Sequence, residues 1–323
     1  MARVLCITLN PALDLAFSLD QLTLGAVNRP HRAQLEAAGK GVNVARVLAG
    51  LGHEVTVSGF LGADNDAPFA LAFQHAALHD DFVRVAGETR INAKLAEHSG
   101  RVTDINGPGM PITPADLERL MARLDALLQS ATPPLAVVVA GSLPPGLSLD
   151  DFRALLQHLK ASGVPLWVDT SGDALNVAIE VQPSAVKPNE LELAEWAGAA
   201  LDTSHALTQA ARRLQQSGVE HALISAGADG VLWVNAQGIW QATPPTVTAI
   251  NTVCAGDTLV AGMLHGLLSG HAAEHTLRFA TALSAEAVRH VGVGTPHADD
   301  FDSLQQQTRV RRLDDTITEG ATL

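Results

Sequence analysis

Cysteine is nearly missing from this chain. Cys6 and Cys254 are the only two in 323 residues, so no disulfide framework braces the fold, and a reducing cytosol is the natural setting. Long apolar runs are missing as well. None approaches the roughly 18 residues that a membrane span requires. At the N-terminus Arg3 precedes only a short apolar run over residues 4–9, which lacks the pattern of a signal peptide. A soluble, cytoplasmic protein is the expectation. Positive charge is scarce: 21 Lys and Arg face 34 Asp and Glu, a formal net charge of -13. Such a surface repels nucleic acid and anionic membranes, so neither is an expected partner. The scarcity also makes any gathering of cations informative, because an acidic protein that binds phosphate has to collect its positive charge in one place. Internal repeats and low-complexity linkers are absent too. With 47% hydrophobic residues, the chain can bury a large core as one α/β domain, with or without a small appendage.

What is present is alternation. Strand patterns over residues 4–9, 55–60, 135–140, 165–168, 185–186 and 221–225 are separated by helical patterns over 44–51, 68–78, 114–128, 150–161, 173–179 and 203–216. A hairpin over 231–242 and two closing helices, the last over 272–289, follow. Repetition of this kind predicts a largely parallel sheet covered on both faces, with ligands beyond the carboxyl ends of its strands. Asp14, the Gly141 loop, Asp169, Asn189, the Ser225 loop and Asp257 each follow a strand, and so converge on one rim. The fold is expected to span residues 1–301, with 302–323 as a polar, poorly anchored tail.

The chemistry concentrates in Thr252-Val253-Cys254-Ala255-Gly256-Asp257-Thr258, which joins a β-prone run to an apolar helical segment. Ala255 and Gly256 leave the backbone uncovered, so several amides can face one anion with the helix dipole behind them. Asp257 at the edge of that pocket can take a proton from an attacking hydroxyl; an ordinary N-terminal helix cap accounts for the same residue. Gly39-Lys40-Gly41 enters another helix. It is not a P-loop, which needs Gly, four residues, then Gly-Lys-Ser/Thr. Its glycines let a ligand approach the backbone closely, although a plain helix-start turn with a solvated lysine explains them equally well. Arg90, Asn92 and Lys94 alternate with Ile91, Ala93 and Leu95, which puts two cations and an amide on one face of a strand. That face suits a phosphorylated polyol, and a solvated sheet face gives the same pattern. His271-Ala272-Ala273-Glu274-His275 fits the inverted zinc-protease pattern. It follows Gly270 at a helix start, however, and thirteen histidines make a chance match easy.

Four segments, taken in order, resemble the ribokinase-like (PfkB) carbohydrate kinases: Ala38-Gly39-Lys40-Gly41-Val42-Asn43-Val44-Ala45, Lys187-Pro188-Asn189-Glu190-Leu191-Glu192, Ser225-Ala226-Gly227-Ala228-Asp229-Gly230 and the Asp257 stretch. Thr8-Leu9-Asn10-Pro11-Ala12-Leu13-Asp14 and Thr89-Arg90-Ile91-Asn92-Ala93-Lys94 narrow the resemblance to the branch that acts on ketose phosphates. The resemblance implies a Rossmann-like core and a small β-sheet lid, from about 14–36 and 88–106, that covers the sugar and forms a homodimer contact. It implies ATP- and Mg²⁺-dependent phosphoryl transfer, with fructose 1-phosphate as acceptor and tagatose 6-phosphate or fructose 6-phosphate as alternatives. Asp257 is then the base, and the amides from Cys254 through Ala255 and Gly256 to Asp257 are the anion hole. Asp14, Gly39, Lys40, Asn43, Arg90 and Lys94 would face the sugar phosphate. Lys187, Asn189, Ser225, Gly227, Gly230 and Thr252 would serve the nucleotide, and Glu192 would serve Mg²⁺ through water. Two residues depart from the family pattern. Cys254 stands where the usual motif has glycine, and Asn251 stands where ribokinase has an Asp that helps bind a monovalent cation, so K⁺ activation is not expected. A sugar-phosphate sensor on the same fold is the non-enzymatic alternative; such proteins lose the base or the anion-hole glycine, and Asp257 and Gly256 are both present.

Overall fold

Alternate residues of the first strand feed two different cores. In a computed structural model, which describes residues 1–313, Val4 and Cys6 pack on one side of a sheet and Leu5 and Ile7 on the other, as the two-residue period of a strand requires. That strand, β1 (Arg3–Thr8), leads through β2 (Ala12–Leu19) and β3 (Arg32–Ala38) into helix α1 (Lys40–Gly50). Next come β4 (Glu54–Gly62), α2 (Ala67–His75), β5 (His79–Asp80), β6 (Val83–Val85), β7 (Ile91–Glu97) and β8 (Val102–Ile105). The alternating body follows: α3 (Pro114–Leu128), β9 (Ala136–Ala140), α4 (Leu149–Ala161), β10 (Leu166–Asp169), α5 (Asp173–Val181), β11 (Ala185–Val186) and α6 (Glu190–Ala197). It closes with α7 (Ser204–Gln216), β12 (His221–Ser225), β13 (Val231–Asn235), β14 (Gly238–Thr243), α8 (Ala255–Leu268), α9 (Ala273–Ala287), α10 (Phe301–Gln307) and β15 (Arg309–Leu313).

The main sheet runs β15-β14-β13-β12-β11-β10-β9-β1-β4-β5, with β6 also paired to β4. It is parallel from β12 to β5 and antiparallel from β12 to β15. Strands such as β9 (AVVVA) are buried at every position, as expected of parallel strands covered on both faces. One cover contains α1, α8 and α9, through Val44, Met263 and Leu277. The other contains α3, α4, α5 and α7, through Leu120, Leu155, Leu175 and Leu214. Helix starts are set by capping boxes at Thr113–Asp116 and Ser148–Asp151, each satisfying donors that the first turn leaves free.

Strands β3-β2-β7-β8 form a separate four-stranded sheet. Its register sorts side chains by chemistry. Leu35, Leu15, Ala93 and Ile105 are cross-strand partners in one row, whereas Asp14 lies beside Glu36 and Asn92, and Ala16 beside Gln34 and Lys94. One face is therefore apolar and the other polar. The segment expected to be a poorly anchored tail is, through Leu313, part of the fold. Phe301 and Leu304 are buried, and β15 pairs along β14 from Arg309 to Leu313. Its run of arginines reads as a solvated tail, yet suits an edge strand, where charge blocks further pairing. Residues 314–323 lie outside the described part. No helix among the described residues is long and apolar enough to cross a membrane.

Candidate active site

Helix α8 begins at Ala255, with Cys254 as its N-cap residue at φ -93°. That is ordinary backbone for an L-residue, so cysteine in place of glycine imposes no strain here. Asp257 lies in the first turn and is buried, 3% exposed. Its side chain caps nothing. Instead Oδ2 accepts a hydrogen bond from Asn43 Nδ2 at 2.7 Å, across 214 residues of sequence. Among the described residues, the amides of Cys254, Gly256 and Asp257 have no protein acceptor, while that of Ala255 turns back to Thr252 O at 3.2 Å. Of the four amides expected to form an anion hole, that of Ala255 is therefore already engaged within the turn. Ser284 Oγ donates to Ala255 O at 2.9 Å, which pins the helix start to α9.

A second carboxylate sits behind the first. Asp169, at the end of β10 and 2% exposed, accepts from Lys40 Nζ at 3.1 Å and lies 3.4 Å from Lys187 Nζ, both through Oδ1. Its Oδ2 has no partner. Burial opposes its charge, but Lys187 and Lys40 hold Asp169 below the usual carboxylate range. For Asp257 the balance falls the other way. Burial, reinforced by the charge of Asp169, pushes it up to about 7, against the pull of Lys40, Asn43 and Lys187. A carboxylate poised there exchanges a proton readily near neutral pH. Burial also works against the charge of Lys40, yet Asp169 and then Asp257 keep its ammonium above its ordinary range.

Glycines hold these groups in place. A Cβ on Gly256 would stand 3.3 Å from Lys187 Nζ, a tight contact from which the ammonium would have to shift by a few tenths of an ångström. At Gly41 a Cβ would meet Thr8 Oγ1 at 2.4 Å and Ile7 O at 2.8 Å, and at Gly39 it would meet Thr8 Cγ2 at 2.9 Å. These two glycines thus admit the protein's own first strand. They dock α1 so that Asn43 reaches Asp257.

Two cavities meet at this helix start. One, of about 530 Å³, is lined by Ser225, Gly227 and Gly230 on one side and by Thr252, Ala255 and Gly256 on the other. The second, of about 330 Å³, is lined by Asp14, Lys94, Asn43, Arg46, Asn251 and Cys254. The polar face of the small sheet roofs it. Residues 251–256 therefore form the wall between the cavities, with Asp257 buried behind it.

Not every expected residue falls where the strand pattern puts it. Arg90 precedes β7, and its guanidinium donates to the carbonyls of Pro11 at 3.2 Å, Gly107 at 2.9 Å and Asn10 at 2.9 Å. It ties together the two points where the small sheet joins the body. It borders a recess of about 10 Å³, about the size of a single water. Asn92 and Lys94 do share a face, and both reach Asp14, at 3.0 and 3.5 Å. Asn189 and Glu192 form a reciprocal capping box at the start of α6, both bonds 2.8 Å. Neither is on the lining of these two cavities, though the charge of Glu192 is felt at Lys40. Gly227 takes a left-handed conformation (φ 52°), which favours glycine. Gly230 also packs against Ala242 O, where a Cβ would stand 1.9 Å away. His271 and His275 stack edge to face at 4.7 Å, and Glu274 pairs with Arg278. Among the described residues no group of three or more His, Cys, Asp and Glu could hold a metal. In the sequence Asp169 is a rim residue without a role, and Arg46 is unmarked. Neither sits in a local pattern that marks it.

A buried carboxylate beside free helix-start amides, behind the wall of two cavities and backed by two lysines, supplies the kinds of groups that phosphoryl transfer to an alcohol uses. The chain belongs to the pfkB family of carbohydrate kinases: the family profile matches residues 7–300. It is 45% identical over 315 residues to the 1-phosphofructokinase of Vibrio cholerae, covering 98% of each chain. It is 44% identical over 292 residues to that of Escherichia coli K12, covering 90% of this chain and 93% of the other. Among solved structures, phosphofructokinase-2 from Escherichia coli in complex with substrates and products superposes with a TM-score of 0.88 at 27% identity, covering 94% of this chain and 98% of that one.

Proposed function

We propose that the protein is a 1-phosphofructokinase, which transfers the terminal phosphoryl group of ATP to the free primary hydroxyl of fructose 1-phosphate, giving fructose 1,6-bisphosphate and ADP. The observation that carries this reading is the placement of Asp257 behind the wall shared by the two cavities; identity over nearly the full length to relatives of that name supports the substrate. ATP occupies the larger cavity, against Ser225, Gly227, Gly230 and Thr252. The sugar occupies the smaller one, with Asp14, Asn43 and Lys94 against its hydroxyls. Asp257 removes the proton of the attacking hydroxyl as oxygen meets phosphorus. The free amides of Gly256 and Asp257, with the helix dipole and the ammonium groups of Lys40 and Lys187, face the charge on the transferring group. Charge neutralisation of the triphosphate is the chemistry Mg²⁺ supplies when bound. Glu192 is the residue that would hold the ion, through water.

The apolar face of the small sheet leaves Leu35, Ile91 and Ile105 exposed at 45%, 47% and 59%, and a second copy of this chain covers it in the proposed homodimer. Comparing kcat/KM for fructose 1-phosphate, fructose 6-phosphate and tagatose 6-phosphate by coupled ADP release tests the function. The highest value belongs to fructose 1-phosphate. Binding without turnover of any of the three would mark a sensor instead.

A further inference from the structure

The acceptor cavity needs a cation for the phosphate that the sugar already carries, and most of the nearby cations are engaged. Lys40 and Lys187 are paired with Asp169. Lys94 lies between Asp14 and Asp104, at 3.5 and 3.4 Å. Arg90 is held by three carbonyls away from the cavity. Two guanidinium groups remain on the cavity lining, Arg32 from β3 and Arg46 from α1. Among the described residues neither has an acidic or carbonyl partner. Arg32 is exposed at the outer end of the lid, whereas Arg46 is half-buried on the floor.

Arg46 stands three residues after Asn43, so the two share a face of α1. Asn43 fixes the base, and Arg46 lies one turn further along the same cavity. Its charge is felt at Cys254, the residue that opens the anion-hole turn. A ketose phosphate presents its reacting hydroxyl and its phosphate at opposite ends, and the Asn43–Arg46 spacing offers a partner for each. An unpaired guanidinium in a half-enclosed cavity matches the fork of phosphate oxygens.

We propose that Arg46 is the specificity-determining contact for the phosphomonoester of the acceptor sugar, with Arg32 closing on it from the lid. This rests on the reading of the acceptor as a sugar phosphate. The test measures steady-state kinetics of Arg46→Ala and Arg46→Lys, together with binding of inorganic phosphate to the full chain without ATP. Arg46→Ala raises KM for fructose 1-phosphate roughly 10- to 100-fold, as expected for a lost charge-assisted contact, and leaves KM for ATP unchanged. Arg46→Lys recovers part of the loss, and Arg32→Ala shows a smaller rise. Inorganic phosphate competes with fructose 1-phosphate in the parent, and this inhibition weakens in parallel in Arg46→Ala. An unchanged KM for the sugar, or equal inhibition by phosphate in parent and variant, overturns the assignment of Arg46 while leaving the kinase reading intact. Failure of the parent to use any ketose phosphate would instead sink that reading; phosphate binding that differs between parent and Arg46→Ala would still identify the anchor.

Discussion

Asp257 pays for its reactivity with solvation. Burial and the charge of Asp169 raise it to about 7, so its basic form gains population through neutral pH. The kcat/KM for fructose 1-phosphate should therefore rise with pH on an acid limb centred near 7; a limb centred near 4 would remove Asp257 as the base. The same shift has a stability consequence. Between its ordinary value and about 7 the folded state holds a proton that the unfolded state has released, so stability falls as pH rises through this window. Gly256→Ala separates site from scaffold at the same helix start. Alanine favours a helix by roughly 0.5–1 kcal/mol over glycine, but its Cβ displaces the Lys187 ammonium. Turnover should drop on the order of 10²-fold, the scale of one lost transition-state donor, with thermal stability kept or raised. Lower stability with normal turnover would contradict this. Asp257 and Asn43 stand out in the sequence because short motifs carry them. Asp169 and Arg46 do not, because what distinguishes them is a pairing over 129 residues in one case and a lack of pairing in the other.

At the scale of elements, α1 and the small sheet set the site. Helix α1 reaches Asp257 only because Gly41 lets it press on β1; Gly41→Ala puts a methyl group against Thr8 and the carbonyl of Ile7. Overpacking of this kind costs about 1–3 kcal/mol, and denaturant unfolding should show a loss of that size; an unchanged midpoint would mean the contact relaxes freely. In the small sheet, Ile105→Lys places a charge in the exposed apolar row while the polar face over the smaller cavity stays intact. Sedimentation should show a shift from dimer to monomer, and a dimer that persists places the interface elsewhere. Some of these elements were open to sequence reading. Strands such as β9 are continuous apolar runs, and the hairpin β13–β14 is marked by its turn. Helix α6 is hidden in the sequence because the spacing of Asn189 and Glu192 serves equally as a functional motif and as a capping box. Strand β15 is hidden because Arg-Val-Arg-Arg-Leu reads as polar tail until an edge is available to pair with it.

For the whole molecule, sequence alternation gives a parallel sheet covered on both faces but not the order of its strands. That β1 lies between β9 and β4, and that residues 251–256 become a wall between two cavities, follow from long-range packing that no local window encodes. The surrounding surface is acidic, with a net charge of -13, so the cations gathered around Asp169 and the acceptor cavity give phosphate ligands a local target. The central claim is that one buried carboxylate serves both cavities as the base. It is tested most directly by Asp257→Asn, which keeps the size of the side chain and its hydrogen bond from Asn43 while removing the proton acceptor. Turnover of fructose 1-phosphate should fall roughly 10²–10⁴-fold, with calorimetric affinities for ATP and the sugar within a few-fold of the parent. Near-normal turnover with both substrates bound would contradict the account.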